Sequence, residues 1–234
     1  MNSERRTAII VGVLFIIATV SSIIGTFVFL EPITGDPDYL IKAYENKTQL
    51  ILGVLIDALN SIAVIVIAAV LYPILKKISE AFAIGYVASR IIESVILIIG
   101  HISLFSLLSL SQEFVQTGAQ NAAHLLPLGR LLLAVNDWTF LFGPGIAFGI
   151  TALVLNYLFY QSKLVPRFLS VWGFIGGTLL LAADVLAIFG LGTASMTFAL
   201  LILPIGLNEM ALAAWLIIKG FNPTAIKYKD IKEL

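Results

Sequence analysis

The sequence predicts an all-α polytopic membrane protein, a bundle of six transmembrane helices with a kinked fourth helix. Three observations carry that expectation. Of 234 residues, 59% are hydrophobic and 12% are charged, with a mean hydropathy of +1.02, whereas a soluble domain carries about 25% charged residues. Apolar runs recur at the length needed to cross a bilayer, about 20 residues at about 1.5 Å each. Basic residues gather beyond alternate runs, as they do around spans of fixed direction.

The first run, residues 7–30, follows Arg5 and Arg6. It exceeds the apolar core of a signal peptide, about 7–15 residues, and lacks a small-x-small cleavage site. It is expected to be a retained helix. The second and third runs are residues 50–75 and 81–110, and the fourth lies within 122–160. That fourth run contains Gly143-Pro144-Gly145, where proline removes a backbone donor and glycine weakens the helix. Splitting it would leave residues 146–160, too short to cross. The fifth and sixth runs are residues 168–190 and 195–218, and the whole chain, 1–234, is expected to form a single transmembrane domain.

Direction follows from charge. Arg5 and Arg6 precede the first span, Lys76 and Lys77 follow the second, and Lys163 and Arg167 follow the fourth. Lys219, Lys227, Lys229 and Lys232 end the chain, while the opposite loops hold only Lys42, Lys47 and, at an edge, Arg130. The positive-inside bias therefore places both termini in the cytoplasm, which requires an even number of crossings. Tyr72, Tyr157, Tyr160, Trp172 and Trp215 fall near the same ends, where amphipathic rings prefer the interface. The outer loop 31–49 should start with a turn at Pro32, Gly35 and Pro37, then form a short surface helix. Residues 112–126 are expected to form an interfacial helix. Asn46-Lys47-Thr48 matches the glycosylation pattern, a match common by chance. No internal repeat is evident, and the acids of the two halves do not fall at matching places as an inverted-repeat transporter would suggest.

Chemistry has to come from the polar residues inside the spans. Asp57, Glu93, Asp137, Asp184 and Glu209 are acidic, and only Arg90, with Arg130 at the margin, can neutralise them there. An ionised side chain at mid-bilayer costs about 2.5–3.5 kcal/mol on insertion scales, so such groups normally face protein or a wet cavity. Counting helix rise from the basic ends sorts them into two layers. The lower holds Arg90, Glu93 and Glu209; the upper holds Asp57, Asp184, His101 and Asp137.

In the lower layer Arg90 and Glu93 are three residues apart, so they share a helix face and can pair. Glu209, beside Asn208, is the expected second partner of Arg90, and the bland role of such a triad is to fix helix register. The upper layer has acids without matching bases. Asp57 shares its face with Asn60 and Ser61, and Asp137 follows Asn136. Imidazole plus carboxylate suits a divalent cation, so His101, Asp57 and Asp184 are the candidate ligands. Taken singly, each acid could instead be protonated and bond a neighbouring helix. Taken as a set, the excess of acid predicts a proton- or cation-accepting cavity.

Other chemistries find little footing. The chain has no cysteine, no His-Glu-x-x-His and no Gly-x-Ser-x-Gly. A net charge of zero gives a nucleic-acid partner no electrostatic footprint. His124 is expected near an interface, solvated or capping, and Ser103, Ser106, Ser109 and Ser111 are expected to pack helices or bond backbone. Gly145-x-x-x-Gly149 and Gly173-x-x-x-Gly177 fit close helix approach.

Several short pieces, in order, carry a likeness. They are Arg6-Thr7-Ala8 opening the first span, Leu71-Tyr72-Pro73 closing the second, and Tyr86 with Arg90-x-x-Glu93 in the third. Asn136-Asp137-Trp138 and Phe142-Gly143 follow in the fourth, then Leu164-Val165-Pro166-Arg167 before the fifth. Through these the chain resembles the bacterial and archaeal membrane proteins grouped as domain of unknown function 4386. The resemblance implies an integral helical membrane protein of about this size and transfers no activity, substrate or catalytic residue. From the residues themselves, three functions stay open. One is binding or transport of a cation or small cationic or protonated solute in an acidic cavity open to the outer side. The second is an intramembrane metal-dependent or acid/base enzyme, and the third is a structural or regulatory subunit. The lipid bilayer is the one partner the composition requires; no oligomeric state follows from it.

Overall fold

A computed structural model describes residues 3–118, 122–223 and 225, so Lys227, Lys229 and Lys232 lie outside the described residues. Among the described residues there is no β-strand, and six helices are long and apolar enough to cross a membrane. The chain is a multi-pass membrane protein. Helix α1 (Ser3–Ile23) continues through a π-helical stretch, Ile24–Leu30, into the short α2 (Glu31–Thr34). After α3 (Tyr39–Glu45) come α4 (Lys47–Leu75) and α5 (Glu80–Thr117). The fourth span is α6 (Leu126–Phe140), a second π-helical stretch at Leu141–Ala147, and α7 (Phe148–Ser162). Helices α8 (Arg167–Ile188) and α9 (Met196–Ile218) complete the set.

The interruption of the fourth span falls where the sequence puts it. Pro144 has no N–H to give and its ring crowds the preceding turn; the wider π-helical winding absorbs both defects without ending the helix. Two local expectations are corrected. Pro32 does not start a turn but sits in α2, within a helix that runs on from the π-helical stretch, and the turn comes at residues 35–38. The interfacial helix expected over 112–126 is not a separate element at its start. Helix α5 runs unbroken to Thr117, because Leu104, Leu107, Ser111 and Phe114 keep one buried face at helical spacing.

The residues group into two compact units: a first of Met1–Ile16, Ala63–Glu93 and Pro144–Leu234, and a second of Ile17–Ile62 and Ser94–Gly143. The first unit is centred on Phe15, Ile67, Leu71, Tyr86, Phe159 and Leu216. Within it α8 packs on both α7 and α9. Lipid tails are as apolar as leucine, so close van der Waals packing has to hold such helices together, and small residues permit it. A Cβ at Gly176 would stand 2.9 Å from the Ile205 backbone, and one at Gly149 2.6 Å from Leu181. Arg5 closes this unit at one end. Its guanidinium donates to the carbonyls of Leu216 (2.9 Å), Ile217 (2.6 Å) and Ile218 (3.1 Å), the groups that the end of α9 leaves without helical partners.

The second unit is centred on Ile33, Leu40, Leu50, Leu104, Leu107 and Phe114. Here the π-helical stretch of the first span and α4 meet at backbone contact: a Cβ at Gly25 would lie 2.9 Å from the Gly53 carbonyl oxygen. Helix α3 is tied down by Ser111, which donates to the Leu40 carbonyl, and by Tyr39, whose hydroxyl donates to the Leu126 carbonyl at 2.9 Å. Burial pushes the Tyr39 phenol above its usual pKa despite nearby Arg130, so it keeps the proton this bond needs.

Candidate functional site

In the second unit, α4 and α5 bring Asp57 and His101 together. His101 Nε2 and Asp57 Oδ2 share a hydrogen bond at 2.8 Å, and both residues are buried. The pairing joins residues 44 apart in sequence, on different helices. Asp57 Oδ1 and Ser61 Oγ, one helical turn apart, are buried without hydrogen-bond partners, and Asn60 is buried beside them. Ser61 is fixed through its carbonyl, which accepts from Ser94 Oγ at 2.8 Å. Gly25 lets the first span lie against Asp57, since a Cβ there would be 2.8 Å from the Asp57 Cβ. A buried polar atom without a partner costs about 1–3 kcal/mol, so Asp57 Oδ1 and Ser61 Oγ are acceptors open to a donor.

Asp137, expected in the same layer, is exposed. Adjacent residues on a helix point about 100° apart, so only one of Asn136 and Asp137 can face inward. Asn136 does: a Cβ at Gly100 would lie 3.4 Å from its side-chain oxygen. The expected metal set is corrected as well. Among the described residues no three histidine, aspartate or glutamate side chains gather as ligands, so His101, Asp57 and Asp184 do not form one.

In the first unit Arg90 and Glu93 pair within α5, Nη1 to Oε2 at 3.0 Å and to Oε1 at 3.2 Å. The guanidinium carbon lies 5.0 Å from the ring centre of Phe148 and 5.7 Å from that of Tyr86. Glu209, on α9, adds to the electrostatic surroundings of Arg90, while the ion pair itself is made by Glu93. Neighbouring Asn208 donates to the Leu169 carbonyl at 2.9 Å, joining α9 to α8. Arg90 Nε and the Tyr86 hydroxyl make no hydrogen bond of their own.

Asp184 belongs to this unit, not with Asp57 and His101. It is buried, its Oδ2 has no partner, and it faces the π-helical stretch at Gly145, where a Cβ would meet the carboxyl at 2.7 Å. The serines behave as expected. Ser106 and Ser109 bond carbonyls four residues back, and Ser103 donates to Leu132 on the next helix. His124 is exposed. Sequence reasoning missed Phe148, Gly25 and Ser94. Only Tyr86 carried a usable signal, its i, i+4 spacing to Arg90.

The profile described as Domain of unknown function (DUF4386) matches residues 10–220. The chain belongs to this family. Within the DUF4386 match lie all the buried acids, His101 and Arg90. No curated protein and no solved structure matches the chain.

Proposed function

We propose that this DUF4386 protein binds, and moves or senses, a small cationic or protonated solute at the Asp57–His101 pair. The observation that carries the reading is the pair of orphaned buried atoms, Asp57 Oδ1 and Ser61 Oγ, next to a satisfied carboxylate–imidazole contact. A carboxylate oxygen and a hydroxyl oxygen together accept hydrogen bonds, so an ammonium- or guanidinium-type group suits them. With fewer than three ligands gathered, an organic cation fits this place better than a divalent metal. The charge bias that favours cytoplasmic termini supports approach from the outer side.

The test is ligand-dependent stability of the purified full-length protein. Methylammonium, guanidinium and choline should include at least one that raises the unfolding temperature, by about 2.7 kcal/mol of stabilisation at a hundredfold excess over Kd. Asp57→Asn and Ser61→Ala should weaken that ligand about tenfold or more, and magnesium or zinc should give no comparable shift. A wild type indifferent to all three cations, or an Asp57→Asn protein that responds equally, removes the reading.

A structural or regulatory subunit is the second reading. It is favoured by Ser94, Ser103, Ser111 and Asn208, each of which spends its side chain on a carbonyl of another element.

A further inference from the structure

A groove of about 580 Å³ opens where α7 ends, α8 begins and α9 ends, and Lys163, Arg167 and Lys219 line it. Among the described residues no carboxylate lines it, and none of the three cations is in an ion pair. Arg167 lies over the Tyr160 ring at 5.0 Å, which holds its charge at the rim. Pro166 stands at the start of α8, and no side chain caps the amides there, so the positive end of that helix adds to the same field.

The groove is built and not incidental. Lys163 has φ of 59°, the left-handed region where glycine or asparagine would be cheaper. A lysine stands there against its backbone preference. The Asn222 amide donates to the Leu164 carbonyl at 2.8 Å, and its side chain donates to the Lys163 carbonyl at 3.3 Å, fixing one wall to the other. Trp215 contributes an amphipathic ring to the lining. Phe168 and Ile218, next to the cations in sequence, are 62% and 68% exposed.

We infer that this groove holds the phosphate headgroup of an anionic phospholipid, with its acyl chains along the exposed apolar side chains beside it. Cations without carboxylates call for an anion, and basic pockets between the ends of spanning helices suit lipid headgroups. The bordering Phe168 and Ile218 favour a lipid over a free phosphate, which has no use for apolar surface.

Native mass spectrometry of the full chain in a neutral detergent tests this, with phosphatidylglycerol, phosphatidylcholine and inorganic phosphate as probes. Wild type should retain phosphatidylglycerol in preference to phosphatidylcholine. Each basic residue near an anionic surface adds about fivefold, so Lys163→Asn/Arg167→Gln/Lys219→Gln should weaken retention by roughly a hundredfold. Asparagine keeps the left-handed turn, and the single variant Lys219→Glu serves if the triple variant does not fold. Lys42→Gln/Lys47→Gln, which removes two charges from the loop after the first span, should leave retention unchanged. Equal retention of both lipids by wild type, equal loss in the control variant, or phosphate displacing the lipid at matched concentration each overturns the proposal.

Discussion

Arg90 shows how one residue can hold several others in place. It is 2% exposed, bonded to Glu93, stacked between two rings and within the field of Glu209. Breaking a buried pair by removing one partner typically costs about 3–5 kcal/mol, whereas replacing both with apolar groups is far milder. Arg90→Met should therefore destabilise the protein by that amount in detergent unfolding, and Arg90→Met/Glu93→Met should recover a good part of it. A double variant no more stable than the single would mean the pair is not what Arg90 supports. The i, i+3 spacing made this contact legible from sequence alone. The Asp57–His101 contact was legible only as a shared layer and a shared candidate site, because helix periodicity says which face a residue occupies and is silent about which helix lies opposite.

At the scale of elements, the glycines of α8 and α9 make opposite demands. Gly176 meets the Ile205 backbone, which cannot yield as a flexible side chain would; a Cβ on Gly206 would have no atom within 4 Å. Gly176→Ala should thus cost about 1–3 kcal/mol through overpacking. Gly206→Ala should be neutral or stabilising by up to about 1 kcal/mol, since alanine is the better helix former. Thermal unfolding of the two variants side by side gives the comparison, and equal losses would contradict the α8–α9 packing. The spans themselves were readable because each is a long apolar run, and Gly143-Pro144-Gly145 announced the break in the fourth. The π-helical stretch at Ile24–Leu30 was less openly marked. Pro32 follows just beyond it, and it lies where Gly25 and Gly53 bring the first span and α4 to backbone contact, a tertiary cause that local sequence does not display.

For the molecule as a whole, orientation is the property most open to a direct check. The chain contains no cysteine, so single cysteines report without background. In intact cells a membrane-impermeant maleimide should label Asp38→Cys and spare Ser79→Cys, with the pattern reversed in inside-out vesicles. Labelling of both, or the opposite order, would discard the proposed cytoplasmic termini. The grip of Arg5 on the carbonyls at 216–218 has a consequence for biogenesis. Its donors reach across 211 to 213 positions of sequence, so they find their acceptors only after the last span has left the ribosome. Arg5 must wait for a segment made more than two hundred residues later, and closure of the first unit becomes a late event in maturation.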